Sequence, residues 1–186
     1  MKTRLLRSLR FLILALFPLP LVGQTFIQLG TVNQPTGSAT SYSCAYPQPN
    51  GSGNTLMLAA RFGTGATVSV IDSQGNTWLP AIGVSVGLWY ATNSKAGANT
   101  VTITYSAGQP FQGVCAEYSG TFYLDQVPQV ASGTGTVATS PSISTAYSGD
   151  LIIGFGTNDT TNGPSITAGS GFTLRAEVNT LLEDMT

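Results

Sequence analysis

Apolar and polar residues alternate with a period of two through most of the chain after residue 24, without sustained helical spacing of three and four. Such alternation is typical of β-strands that bury one face. Turn-rich clusters interrupt the pattern at short intervals, namely PNGSGN, GTGA, SQGN, NSKAGAN and SAGQP. Short strands separated by regular turns predict an all-β fold, an antiparallel β-sandwich of the jelly-roll or immunoglobulin-like type.

The alternating runs predict strands over residues 56–62, 67–70, 82–90, 100–105, 114–118, 151–155 and 172–176. The chain ends on LLEDMT without a closing turn or polar tail. A sandwich normally completes its sheets, because an unpaired strand edge exposes backbone hydrogen-bonding groups. We therefore expect residues 24–186 to form a single β-sandwich domain that is truncated at its C-terminal end.

The pattern of residues 1–23 predicts a secretory signal peptide. Four basic residues come first, at Lys2, Arg4, Arg7 and Arg10. An apolar run from Phe11 to Val22 follows, and small Gly23 marks the expected cleavage site. This run has 12 residues, whereas a membrane-spanning helix needs about 20. We expect a secreted or cell-surface protein with no membrane insertion after cleavage.

The charge that remains after cleavage excludes nucleic acid as a partner. Residues 24–186 hold three basic residues, Arg61, Lys95 and Arg175, against eight acidic ones, which leaves a net charge of −5. A nucleic-acid interface needs a basic stripe that displaces counterions from phosphates. Three scattered cations cannot form one.

Cys44 and Cys115 are the two cysteines of the chain. An even number of cysteines in an exported protein predicts a disulfide bond between them. The alternative is a pair of buried thiols on separate strands, since a free cysteine packs as a small apolar group.

The sequence contains no histidine, which excludes Ser-His-Asp and Cys-His nucleophile systems and histidine-based metal sites. Calcium needs six or more oxygen ligands. Asp72 with Asn76, and Asp159 with its neighbouring asparagines Asn158 and Asn162, offer too few. We therefore predict no metal and no cofactor.

Two acidic residues, Glu117 and Asp125, form the best candidate pair for glycoside hydrolysis, which needs two carboxyl groups across a cleft. The alternative is a structural role, with Glu117 paired to Arg61 across strands. Glu117 lies on the same side of its strand as Cys115. If Cys115 points inward, Glu117 also does, and a buried carboxylate needs a partner.

Trp89 is the candidate ligand-binding residue. The alternation places it on the side of Ser85 and Gly87, opposite Leu88 and Tyr90, which are expected in the core. A tryptophan exposed among small residues offers a flat apolar surface for a sugar ring. The alternative is that Trp89 packs under a loop or another strand.

The segment IDSQGNTWLP, from Ile71 to Pro80, is predicted to be a hairpin turn rather than a ligand site. Asp72 can accept hydrogen bonds from amides that follow it, and Gly75 tolerates the positive φ of a tight turn. Trp78 is expected to anchor this turn by packing over one end of the sandwich.

Several segments occur together in a familiar order: GNTLMLAARFG, VSVIDSQGNTWLPA, LWYATNSKAGANTVTITYS, CAEYSG with LDQ, and GDLIIGFG with GSGFTLRAE. Together they resemble an uncharacterised β-sandwich module of exported bacterial multidomain and surface proteins. The resemblance implies export, a sandwich topology and neighbouring domains as partners. It supplies no established catalytic or binding residues.

The sequence thus favours a noncatalytic, exported structural or interaction module of a secreted or cell-surface protein. The first alternative is a carbohydrate-binding module that holds a glycan on Trp89. The second alternative is a glycoside hydrolase that uses Glu117 and Asp125.

Overall fold

A computed structural model describes residues 23–33, 37–61, 66–83, 86–109, 111–131, 140–157, 167–176 and 180–186. Within these ranges the chain forms twelve strands: β1 (Phe26–Leu29), β2 (Thr31–Asn33), β3 (Ala39–Ala45), β4 (Thr55–Arg61), β5 (Val68–Asp72), β6 (Leu79–Gly83), β7 (Val86–Ala91), β8 (Thr100–Gln109), β9 (Gln112–Tyr118), β10 (Ile152–Thr157), β11 (Thr173–Ala176) and β12 (Thr180–Met185). Nothing in the described ranges forms a helix with the length and apolarity that a bilayer crossing requires. Almost all of the predicted signal peptide, residues 1–22, and the Asp159 group lie outside them.

The described strands form three antiparallel sheets, which confirms the predicted all-β sandwich class. A five-stranded sheet has the order β1-β9-β4-β7-β6, and a four-stranded sheet has the order β2-β3-β8-β5. A smaller sheet of three strands has the order β10-β12-β11.

Strand β4 shows how the sheets stack, because six of its seven residues are buried. Leu56 and Leu58 pack in one core cluster with residues of the four-stranded sheet, such as Ile103. Met57 packs in a second cluster with Leu182 of the three-stranded sheet. The five-stranded sheet is therefore a middle layer covered on both faces. Full burial of each leucine side chain stabilises the fold by about 1.5–3 kcal/mol relative to an exposed side chain.

The disulfide between Cys44 on β3 and Cys115 on β9 joins the four-stranded sheet to the middle sheet, which confirms the predicted pairing. Gly30, between β1 and β2, lies directly against it. A Cβ atom at Gly30 would overlap both sulfur atoms. The chain can cross from one sheet to the other at this point because glycine has no side chain.

A polar contact ties the three-stranded sheet to the middle sheet. Asp184 on β12 accepts hydrogen bonds from Arg175 Nε and the Tyr118 hydroxyl, both at 2.8 Å. The Arg175 guanidinium also lies 4.4 Å from the centre of the Phe26 ring. Burial, the hydrogen bond to Asp184 and its negative charge raise the pKa of the Tyr118 hydroxyl. Tyr118 therefore stays protonated and remains a donor to Asp184.

The alternating run 82–90, predicted as one strand, is divided between two strands. Its ends belong to β6 and β7, which pair antiparallel with Gly83 opposite Gly87. The prediction of one strand was wrong because the period-two pattern continues through the chain reversal. Periodicity alone does not show where one strand ends and the next begins.

The loop between β5 and β6 is the predicted turn, but it connects two sheets, so the prediction of a hairpin was wrong. Strand β5 pairs with β8 in the four-stranded sheet, whereas β6 pairs with β7 in the middle sheet. Gly75 has a φ of 66°, as expected for the turn residue of this loop. Trp78 packs against the core between these two sheets, as predicted.

Candidate functional site

The carboxylate of Asp72 is saturated by donors from its own loop and a neighbouring one. Its Oδ1 accepts the backbone N–H of Asn76 at 2.9 Å. Its Oδ2 accepts the Asn76 side-chain amide at 2.7 Å, and the Trp78 indole and Asn99 amide at 3.1 Å each. Asp72 thus stabilises the path of the chain between two sheets. Within the described ranges, no three His, Cys, Asp or Glu side chains come together as metal ligands.

The Asp72 contacts predict an acid-dependent loss of stability. Burial alone would raise the pKa of this carboxyl, but the hydrogen bonds from Asn76, Asn99 and Trp78 outweigh burial and lower it. A lowered pKa contributes stability above the unfolded-state value of about 3.9, and this stability is lost as the pH falls through the folded-state value. When the pH is lowered from about 5 to about 2, the free energy of unfolding measured with urea should fall less in Asp72→Asn than in the wild type. Equal losses in both proteins would contradict this role.

Glu117 is the most completely enclosed charged group among the described residues, at 0% exposure. Its carboxylate accepts four hydrogen bonds, from Gly51 N at 2.8 Å, Asn54 Nδ2 at 2.6 Å, Gln28 Nε2 at 2.6 Å and Asn50 Nδ2 at 2.8 Å. The negative charge is thus solvated by amides from β1 and the 50–54 turn. Four well-aligned donors can replace water around a buried carboxylate.

Arg61 is not the partner of Glu117, so the predicted ion pair was wrong. The Arg61 guanidinium donates to Gln112 Oε1 at 3.4 Å. Cys115 reaches inward to Cys44, and Glu117 on the same side of β9 is buried with it, as expected for that case. Amide donors that are distant in sequence take the place of the expected cation.

Trp89 is buried, at 6% exposure, so the predicted exposed sugar platform is not present at this residue. Its indole lies over Gly87, where a Cβ atom would overlap the ring. It packs with Leu58 and Ala60 in the core between the middle and four-stranded sheets. Gly87, one of the small neighbours that suggested exposure, instead makes room for the ring inside the core. The alternative, that Trp89 packs under another strand, is therefore confirmed.

The structure does not bring Glu117 and Asp125 together. Glu117 is enclosed by amides, whereas Asp125 is exposed in the segment after β9. Two carboxyl groups of a glycosidase must face the same substrate across one cleft. This pair does not meet that condition.

A cleft of about 170 Å³ lies between the middle sheet, the segment after β9 and the start of β10. We call it the outer cleft. Its lining is mainly apolar and aromatic, with a few polar groups: Gln24, Met57, Ala81, Leu88, Tyr90, Phe122, Tyr123, Leu124, Asp125, Gln126, Pro128, Ile143, Thr145, Asp150, Leu151, Ile152 and Ile153. Concave apolar surfaces with a few polar groups are the usual form of ligand sites.

Two carboxylates border the outer cleft, and they accept hydrogen bonds from two consecutive backbone N–H groups. Asp125 Oδ2 accepts the N–H of Ala146 at 2.8 Å, and Asp150 Oδ2 accepts the N–H of Tyr147 at 3.4 Å. These contacts place the two acids near each other although they are 25 positions apart in sequence. In the part of the chain that the structure describes, neither Oδ1 atom accepts a hydrogen bond.

Tyr123 is the most exposed of the large apolar and aromatic side chains in the described ranges, at 77% exposure. It lies at the cleft, and Leu124, Val127 and Val130 near it are also exposed. Sequence reasoning identified Asp125 in this segment but missed the aromatic and apolar side chains around it, because the segment has no alternation and forms no strand. Its signal was a run of apolar side chains, FYLDQVPQV, that no strand pattern explains.

No known protein family, no curated protein and no solved structure matches this chain. The outer cleft is the place in the described structure where exposed aromatic, apolar and acidic groups converge. It is therefore our candidate functional site.

Proposed function

We propose that the protein is a noncatalytic, exported β-sandwich module of a secreted or cell-surface protein, and that it acts by binding through the outer cleft. The signal-peptide pattern of residues 1–23 and the resemblance to exported bacterial modules support export. The Cys44–Cys115 disulfide is compatible with an oxidising extracellular environment.

The observation that carries the binding role is the exposed apolar surface around the outer cleft. Tyr123, Val127 and Tyr147 are each more than half exposed. Tyr123, Leu124 and Ile143 are exposed and line the cleft itself. Exposed apolar side chains that gather around a cleft are typical of interaction sites. Neighbouring domains of a longer chain, or a ligand on a surface, are the partners this role implies.

A fragment screen by ligand-observed NMR tests the site. We expect fragments that bind the wild type to bind Tyr123→Ala at least several-fold more weakly, because Tyr123 supplies much of the exposed contact surface. Ile71→Ala is the matched control, since Ile71 is also exposed but lies on β5, outside the cleft lining. A screen without hits, or hits that Tyr123→Ala leaves unchanged, would contradict the proposal.

Glycan binding is the second candidate function, and Tyr123 is the observation that favours it. An exposed ring beside the carboxylates of Asp125 and Asp150 provides a stacking surface and acceptors for sugar hydroxyls. A glycan array should then give signals that disappear with Tyr123→Ala. Turnover of a bound glycan that is lost in Asp125→Asn would overturn the noncatalytic role.

A further inference from the structure

We propose that the outer cleft binds a small alkylammonium ligand, with the ammonium group at Asp125 and Asp150 and the alkyl chain on the apolar lining. This inference rests on the proposed binding role of the cleft and names the chemical class of its ligand. It follows from the charge, the aromatic groups and the size of the cleft.

The charge of the cleft is not balanced by the protein. Residues 24–186 contain three cations, and each has a partner elsewhere. Arg61 donates to Gln112, Lys95 Nζ to the carbonyl of Gly75 at 2.8 Å, and Arg175 pairs with Asp184. None of the three lines the cleft, although two carboxylates do. A positively charged ligand would supply the missing countercharge.

The aromatic groups suit a cation better than an anion. Tyr90, Phe122 and Tyr123 line the same cleft as the two acids. The face of an aromatic ring is electronegative, and ammonium groups bind over such faces, most strongly where they are partly removed from water. Aromatic rings beside carboxylates thus favour an ammonium group and disfavour a carboxylate or phosphate ligand.

The size and lining of the cleft indicate the body of the ligand. A space of about 170 Å³ holds a short alkyl chain, and the mainly apolar lining favours such a chain over a ring that carries many hydroxyl groups. Leu88, Leu151 and Ile153 would contact that chain on the inner side of the cleft.

Isothermal titration of the purified protein with hexylammonium, hexan-1-ol and hexanoate tests the proposal. The three ligands have the same chain length and differ in charge. We expect hexylammonium to bind most tightly and hexanoate most weakly. Asp125→Asn and Asp150→Asn should each weaken hexylammonium binding about two- to five-fold and leave hexan-1-ol binding unchanged. Glu183→Gln, which alters an acid outside the cleft lining, is the control.

Binding to the Tyr123→Ala variant distinguishes failure of the alkylammonium proposal from failure of the proposed binding role of the cleft. The substitution should weaken hexylammonium binding by about two- to five-fold, the range of a cation–aromatic contact at an exposed ring. Equal binding of hexylammonium and hexan-1-ol, with both weakened by Tyr123→Ala, would overturn the charge preference and leave the cleft as a binding site. Binding of neither ligand, or no effect of Tyr123→Ala, would overturn both. Binding of Nα-acetyl-lysine amide without binding of hexylammonium would instead indicate a protein partner and overturn the small-ligand proposal.

Discussion

Glu117→Leu is expected to lower the free energy of unfolding by about 4 kcal/mol or more. The substitution leaves four amide donors without their acceptor, and each buried orphan donor costs about 1–3 kcal/mol. Native domains are stable by only about 5–15 kcal/mol in total, so this loss is a large share. Urea unfolding at neutral pH, followed by tryptophan fluorescence, measures it.

Glu117→Gln keeps the test interpretable if the leucine variant does not fold. Glutamine has nearly the same shape as glutamate, and its carbonyl oxygen can still accept two of the four hydrogen bonds. Its NH₂ group would face the other two donors, so we expect about half of the loss in free energy of unfolding that Glu117→Leu causes. Glu183→Gln is the control, because Glu183 is half-buried and accepts a single amide, that of Gly169, at 2.7 Å. If Glu117→Gln were as stable as Glu183→Gln, the carboxylate would not organise the amides around it.

Removal of the disulfide is expected to lower the free energy of unfolding by about 4 kcal/mol on the chain-entropy model, because the bond closes a loop with a sequence separation of 71. We expect Cys44→Ala/Cys115→Ala to unfold at a clearly lower urea concentration than the oxidised wild type. Reducing agent should lower the wild-type midpoint and leave the double variant unchanged. Two free thiols in the unreduced wild type, or a midpoint insensitive to reduction, would contradict this role.

The strands and the disulfide could be predicted because their signals are local or simple. Alternation marks β5 and β8 directly, a continuous apolar run from Leu56 to Ala60 marks β4, and an even number of cysteines suggested the Cys44–Cys115 bond. The stacking of three sheets could not be predicted in the same way. Both faces of β4 are apolar, which indicates burial on both sides but not which strands supply the cover.

The candidate site was harder to predict because it depends on contacts between distant segments. The sequence left open whether Trp89 is exposed or packs under another strand, and small Gly87, which suggested exposure, gives the ring its space in the core. The partners of Glu117 lie 63 to 89 positions away in sequence. Asp125 and Asp150 come near each other because they accept hydrogen bonds from the backbone N–H groups of residues 146 and 147. All of these residues lie in segments without periodicity. Only the folded chain brings these groups together.

Methyl NMR of isoleucine- and leucine-labelled protein, titrated with hexylammonium, tests most directly whether the outer cleft is a binding site. The proposed site predicts shifts concentrated at Leu124, Ile143, Leu151 and Ile153, which line the cleft, with no change at the exposed Ile71 on β5. Shifts centred on Ile71 or on other surfaces, or no shifts at any ligand concentration, would contradict it.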